Sequence, residues 1–137
     1  MTQSPLPVRL SEEAQADLDE TVVYLSGEAG DSVALRYLAA VEDTARLLSE
    51  FPHIGTHCPF KRPPLSSLRR KQVMGKFASW TLFYYVATDR IEVARILHGR
   101  QNWLTLLAET PPLAFLTNLT ENRGLPLRLH SCLRTYE

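Results

Sequence analysis

The sequence predicts an α+β domain with the element order β-α-α-β-β-β, in which a helical hairpin packs on a small antiparallel sheet. Two observations lead to this prediction. Apolar residues recur at helical spacing through the first 50 residues, and from about Leu68 they alternate or run continuously as they do in strands. The helices are expected to cover one face of the sheet, because neither layer can bury its apolar side alone.

A short extended run, Pro7-Val8-Arg9-Leu10, comes first and is followed by a helix start signal. Ser11 is the predicted N-cap, and the carboxylates of Glu12 and Glu13 favour the positive end of the helix dipole. The sequence therefore predicts an amphipathic helix from Ser11 to about Glu28. Its apolar face consists of Ala14, Leu18, Val22 and Leu25.

A second helix follows the break at Gly27-Glu28-Ala29-Gly30. Asp31 is its predicted N-cap, and Phe51-Pro52 marks its end. Because the link between the two helices is short, they are predicted to pack as an antiparallel hairpin. The apolar face of this helix consists of Ala34, Leu38, Val41, Ala45 and Leu48.

Three strand-like segments complete the predicted sheet. Residues 68–74 form a strand with exposed bases, and residues 75–79 form a turn. The segment 80–87 is aromatic and β-branched, as expected of a central strand that is buried on both faces. After a turn at 88–90, residues 91–98 alternate like a strand with one wetter face. Short turns between successive strands predict an antiparallel meander.

Composition limits the class of protein. With 137 residues, 45% hydrophobic and 22% charged, the chain is expected to be globular. It contains no run of about 18 apolar residues that would span a membrane and no visible signal peptide, so we expect a cytoplasmic protein. Cys58 and Cys132 are expected to be reduced thiols. The two cysteines and four histidines show no metal-site spacing. We therefore expect no metal and no cofactor.

The net charge of zero conceals a strong asymmetry. Residues 1–50 contain ten acids and three bases, whereas residues 51–137 contain five acids and twelve bases. This polarity predicts a basic face for an anionic partner, either nucleic acid or an acidic protein segment; the alternative is an ordinary solvated strand and loop. No acid occurs from 51 to 88, where the bases are Lys61, Arg62, Arg69, Arg70, Lys71 and Lys76.

The stretch RILHGRQNW, residues 95–103, contains the remaining candidates for chemistry, His98 and Arg100. A histidine is a competent general base near neutral pH, but no second acid–base residue has a predictable place beside it. Arginine binds phosphate but does not transfer protons, because it remains charged. We interpret His98 as a structural residue at the strand end and Arg100 as the functional residue of the stretch.

Four segments in this order resemble the RelE/ParE superfamily of toxin–antitoxin toxins. They are LSEEAQADLDETVVYL at 10–25, VALRYL at 33–38, FPHIG at 51–55 and ARILHGRQNW at 94–103. The ParE branch is the closer match, because FPHIG after the second helix and His98-Gly99-Arg100 after the last strand resemble its pattern. The resemblance covers about residues 7–107. It implies a toxin domain over 1–107, followed by a C-terminal extension of unknown role over 108–137.

The resemblance implies one of two activities. RelE-type toxins cut mRNA on the ribosome with two lysines, two arginines and a tyrosine. The corresponding positions here fall near Gln72, Met74, Thr81 and Leu106, and only Arg100 remains. The resemblance therefore favours a ParE-like toxin that inhibits DNA gyrase by binding and is not an enzyme. The alternatives are a RelE-like ribosome-dependent mRNA endonuclease with an atypical residue set and a stand-alone RNA-binding module.

The resemblance also implies a partner, a ParD-like antitoxin with an acidic C-terminal segment that binds the toxin in a hetero-oligomer. The expected landing place is the basic strand at Arg69, Arg70 and Lys71. Arg100 and Trp103 are the expected contacts to the target.

Overall fold

The computed structural model describes residues 5–61, 63 and 65–109 and the backbone of 125–126. Its helices are α1 (Glu12–Ala29), α2 (Asp31–Glu50) and α3 (Trp103–Glu109). Its strands are β1 (Val8–Leu10), β2 (Thr56–His57), β3 (Arg69–Gln72), β4 (Trp80–Val86), β5 (Ile91–His98) and β6 (Leu125–Pro126). Single 3-10 turns lie at Leu65–Ser67 and Gly75–Phe77.

The predicted helices α1 and α2 are both present. Ser11 is the N-cap of α1: its hydroxyl accepts the Ala14 amide at 3.0 Å and donates to the Ala94 carbonyl at 2.7 Å, which ties the helix start to β5. The prediction of Asp31 as the second N-cap was wrong. Gly30 is the N-cap of α2 and makes no side-chain bond to the start of the helix. Its φ of 96°, which glycine adopts readily, lets this one residue reverse the chain between the two helices.

The sheet has the strand order β2-β3-β4-β5-β1-β6. The pairs β3–β4 and β4–β5 form the predicted antiparallel meander. β1 pairs with β5 in parallel, so the sheet is mixed and not antiparallel throughout. A parallel neighbour requires a crossover, which the helical hairpin and the following strands supply. The two-residue β2, which the sequence did not predict, pairs with the outer side of β3.

The sheet buries apolar side chains on both faces. The hairpin covers one face, where Leu82 and Tyr84 of β4 belong to the main core. Phe83 and Tyr85 belong to a second cluster on the other face, together with Leu107 of α3. β4 is therefore the central strand that the sequence predicted. The other buried members of the second cluster are Cys58, Leu68, Ala94 and Leu97.

A two-pronged ion pair joins α1 to β5. Arg95 donates from Nε to one Asp17 oxygen at 2.7 Å and from Nη2 to the other at 2.9 Å. Asp17 also accepts the Ile96 amide at 3.0 Å. The hydrogen bond to Asp17 raises the pKa of Arg95 above its ordinary value. The hairpin is thus held to the sheet by a charged contact as well as by its apolar face.

The predicted C-terminal extension over 108–137 lies mostly outside the described residues. Ala108 and Glu109 belong to α3, and the backbone of β6 runs antiparallel to β1. Cys132 also lies outside them. Within the described part of the chain, none of the helices has the length and apolar character needed to cross a membrane.

Candidate functional site

A cleft of about 590 Å³ opens beside β2 and β3, and we call it the basic cleft. No carboxylate lines it, because the chain has no acid between residues 51 and 88. Its charged walls are Arg70 and Lys71, two of the three bases that the sequence assigned to the antitoxin. The complete lining is Ile54, Gly55, Thr56, Arg70, Lys71, Gln72 and Thr81.

The three predicted antitoxin contacts do not share one face of β3. Arg69 stands opposite Tyr84, on the hairpin side, and Arg70 stands opposite Phe83, on the other side. The guanidinium carbon of Arg70 lies 5.5 Å from the ring centre of Trp103, whose ring stacks on Phe83 with centroids 5.5 Å apart. Arg70 and Trp103, which the sequence assigned to different partners, therefore pack together.

Arg69 has a structural role in the segment that follows α2. Its Nη1 donates to the carbonyl of His53 at 3.0 Å and to the carbonyl of Gly55 at 2.8 Å. Both acceptors are neutral, so these bonds fix the side chain without cancelling its charge. Arg69 thus adds positive potential near the basic cleft while holding one of its walls in place.

Gly55 is required in this segment because Tyr84 approaches it closely. The Tyr84 hydroxyl accepts the Gly55 amide at 3.0 Å and donates to the Pro52 carbonyl at 2.9 Å. A Cβ atom at Gly55 would lie 2.4 Å from that hydroxyl and 2.8 Å from the carbonyl oxygen of Arg70. Burial raises the pKa of Tyr84, so the hydroxyl keeps its proton as a donor. The FPHIG segment therefore shapes a wall of the basic cleft.

The turn after β5 is fixed by hydrogen bonds that involve His98. Its Nδ1 accepts the backbone amide of Arg100 at 3.0 Å, and its own amide donates to Gln101 Oε1 at 2.7 Å. The Gly99 amide donates to the Ser79 carbonyl at 2.7 Å. The imidazole also packs edge-on against Trp80, with centroids 4.7 Å apart. These contacts favour the structural interpretation of His98 over a catalytic one.

Arg100 lines a second groove, of about 390 Å³, between α1 and the ends of β4 and β5. We call it the α1 groove. Trp103 is not part of it, because that ring packs on the sheet face opposite the hairpin. The two expected target contacts are therefore on different sides of the molecule. The complete lining is Glu20, Thr21, Tyr24, Trp80, His98, Arg100 and Gln101.

The sequence did not assign a function to the α1 members of this groove. A signal was nevertheless present, because Val23 and Tyr24 are adjacent apolar residues on a helix whose buried stripe includes Val22 and Leu25. Val23 is 62% exposed and Tyr24 is 60% exposed. Such exposed apolar side chains mark an interaction site only as part of a larger contiguous surface, which the sequence alone does not define.

The positions that correspond to the RelE-type catalytic residues do not converge. Gln72 and Thr81 are cross-strand neighbours in the basic cleft. Met74 borders a different groove, beside α2, and Leu106 packs against the second cluster. Arg100 lies in the α1 groove. In the part of the chain that the structure describes, no group of three or more His, Cys, Asp or Glu residues forms a metal site.

Residues 8–103 match the family model described as the ParE toxin of type II toxin-antitoxin system, parDE. Over 96 residues the chain is 31% identical to Toxin ParE1 of Caulobacter vibrioides, covering 70% of this chain and 92% of that protein. A solved structure, the chromosomal ParDE TA system from P. aeruginosa, has a similar fold. That likeness has a TM-score of 0.56 at 18% identity and covers 70% of this chain and 98% of the other.

Proposed function

Because the chain belongs to the ParE toxin family of type II toxin–antitoxin systems, we propose that it arrests growth by binding DNA gyrase and that a ParD-like antitoxin neutralises it. We choose binding over catalysis because the positions that correspond to the RelE-type catalytic residues are dispersed. These positions are Gln72, Met74, Thr81, Arg100 and Leu106. These residues lie in different grooves and clusters and do not surround one point.

The chemistry of RNA cleavage supports this choice. Cutting RNA through its 2′-hydroxyl requires a base, a proton donor and cations around one phosphate. Thr81 and Leu106 supply neither a guanidinium nor a proton donor of suitable acidity. His98 already uses Nδ1 to hold the Arg100 amide. A binding toxin needs only a complementary surface.

The basic cleft supports the proposed antitoxin contact. Arg70 and Lys71 line a cleft without carboxylates, so an acidic segment of a partner would supply the missing counter-charges. The outer side of β3 is paired by β2 only at Arg69 and Arg70, which leaves Lys71 and Gln72 beyond the end of that short strand. We propose the cytoplasm as the compartment, since gyrase and the antitoxin would be met there.

Two assays on the purified protein decide between the activities. We expect inhibition of gyrase supercoiling and no codon-specific cleavage of mRNA on programmed ribosomes. The addition of the antitoxin is expected to relieve the inhibition. Cleavage of ribosome-bound mRNA by the unmodified protein, with supercoiling unaffected, would overturn the proposal in favour of the RelE-like alternative.

The antitoxin contact has its own test, in which Arg70→Ala and Lys71→Ala are combined. Arg69 is left in place because it holds the 53–55 segment. We expect slower association with the antitoxin and a weaker dependence of the rate on ionic strength, because charge steers the encounter. The matched control combines Lys61→Ala and Lys76→Ala, which removes the same charge outside the basic cleft. Equal rates for the two double variants at low salt would show that the basic cleft is only a solvated edge.

A further inference from the structure

Building on the proposed function, we propose that the α1 groove holds a segment of the toxin's target protein, with Tyr24 as the central contact. The occupant is a protein segment with an apolar side chain between a basic and an acidic one. Nucleic acid and a second copy of this chain are the alternatives that the experiment below tests.

The walls of the groove come from parts of the sequence that are far apart. α1 contributes Tyr24 and Glu20, β4 contributes Trp80, and the turn after β5 contributes Arg100. A volume of about 390 Å³ accommodates a few side chains rather than a whole element of structure. A site of this size binds one short segment of a partner.

The groove has the composition of a hot spot, the part of a protein interface that contributes most of the binding energy. Tyrosine, tryptophan and arginine are the residues that most often dominate binding energy, and this groove contains one of each. Tyr24 is 60% exposed although it is a large aromatic residue, and Val23 beside it is 62% exposed. Covering the Tyr24 ring in the groove would remove apolar surface from water when a partner binds, whereas Val23 lies outside the lining of the groove.

The charges specify the occupant. Glu20 and Arg100 line the same groove with opposite signs, so a complementary segment places a base near Glu20 and an acid near Arg100. α1 as a whole contains six acids and no lysine or arginine. That negative potential repels the phosphates of nucleic acid, whose binding depends on clustered cations. A protein segment is therefore the better fit.

The turn that presents Arg100 is held by hydrogen bonds within the chain. Its backbone is held by His98 Nδ1 and by the bonds that link Gly99 to Ser79 and His98 to Gln101. A preorganised loop loses less conformational entropy on binding. His98 and Gln101 are thus positioning residues of the groove, whereas Arg100 and Tyr24 are the contacts.

The decisive variant is Tyr24→Ala, with Tyr24→Phe as the conservative counterpart. We expect Tyr24→Ala to weaken binding to purified gyrase at least about tenfold and to reduce growth arrest, because an interface centre loses its ring. Tyr24→Phe should bind within about threefold of the unmodified protein, since the ring remains. Leu35→Ala is the matched control, because Leu35 is an exposed apolar residue on α2 outside the groove.

Charge reversal tests the chemistry of the occupant. Glu20→Lys is expected to weaken gyrase binding, whereas Glu28→Lys, an exposed change on the same helix outside the groove, is expected to leave it unchanged. Antitoxin affinity and the melting temperature, measured for every variant, should stay at their unmodified values and report intact folding.

Growth arrest and gyrase binding separate the two proposals. If Tyr24→Ala abolishes growth arrest although the unmodified protein does not bind gyrase, the proposal of gyrase as the target is wrong. The proposal that the α1 groove binds the target is then still supported. Full toxicity of a folded Tyr24→Ala variant would overturn the groove proposal. Two other results would also overturn it. In the first, the unmodified protein binds DNA alone and Tyr24→Ala removes that binding; in the second, the unmodified protein forms a dimer that Tyr24→Ala dissociates.

Discussion

The helical hairpin and the basic sheet edge carry opposite charges and hold their charged groups in different ways. α1 and α2 together contain ten acids and two bases. Three of these acids are bound by arginines in ion pairs. Asp17 binds Arg95 across the layers, and Arg46 binds Glu42 and Asp43 on the surface of α2.

The sheet edge uses neutral groups for the same purpose. Arg69 is held by two carbonyl oxygens, and Arg70 lies over the ring of Trp103. A neutral acceptor fixes an arginine but leaves its net charge uncancelled. The basic edge therefore keeps a positive potential that an acidic partner can complete, whereas the ion pairs of the hairpin neutralise Asp17, Glu42 and Asp43 and leave its other acids in excess. A count of charges in the sequence cannot make this distinction.

The largest effect is expected from the ion pair that joins the two regions. Asp17→Ala removes the carboxylate that binds Arg95, whose side chain is 16% exposed, and it removes the acceptor of the Ile96 amide. Breaking such a pair from one side is expected to lower the free energy of unfolding by about 3–5 kcal/mol. Denaturation by urea measures it.

The exposed pair on α2 is the control for this experiment. Arg46→Ala breaks contacts to Glu42 and Asp43, but the Arg46 side chain is 66% exposed. We expect little or no loss of stability, because water replaces the partner. If both variants lost the same stability, the contact between α1 and β5 would be no more than a surface ion pair.

Replacing a glycine by alanine in each of the two regions is expected to give the next largest difference in stability. Gly55→Ala forces Tyr84 away from its bonds to Gly55 and Pro52, and we expect a loss of about 2–3 kcal/mol from overpacking. In α1, nothing lies within 4 Å of a Cβ at Gly27, so Gly27→Ala should raise stability by about 0.5–1 kcal/mol through helix propensity. Melting temperatures that move in the same direction for both variants would contradict this difference between the regions.

Much of the architecture was readable from local signals. The N-cap at Ser11, the helical stripes and the buried strand at 80–86 all follow from residue type and spacing. Their bounds agree with the prediction to within about two residues. These features were predictable because their causes lie within one turn or one strand.

The features that sequence could not predict depend on contacts between distant segments. β2 has only two residues and exists because β3 pairs with it. The parallel pairing of β1 with β5 depends on the path of the whole chain. Consecutive bases at 69–71 look equivalent in the sequence, but alternation along a strand sends them to opposite faces. The α1 groove forms only when residues near 20, 80 and 100 meet.

Two adjacent arginines of the basic edge should therefore differ. Arg69→Ala removes two bonds to carbonyl groups and is expected to cost about 1–2 kcal/mol of folding stability. Arg70→Ala removes an exposed contact to Trp103 and should cost less than about 1 kcal/mol. Chemical denaturation of both variants measures the difference. A larger loss for Arg70→Ala would mean that the ring contact, and not the 53–55 segment, supports this edge.

The smallest effect concerns Cys58, which lies beneath the basic edge. Burial raises the pKa of this thiol to about 11, although Arg70 lowers it slightly. In the unfolded chain the thiol ionises near its ordinary pKa of 9.0, so rising pH favours the unfolded state between these two values. Relative to Cys58→Ala, the protein should lose on the order of 1 kcal/mol of stability between about pH 8 and about pH 9.5. Cys132 is present in both proteins, and the cavity left by the substitution is independent of pH, so the difference in slope isolates one thiol. Parallel stability curves for the two proteins would show that the Cys58 thiol is accessible to water in the folded protein. The second cluster would then bury its members less completely than the main core does.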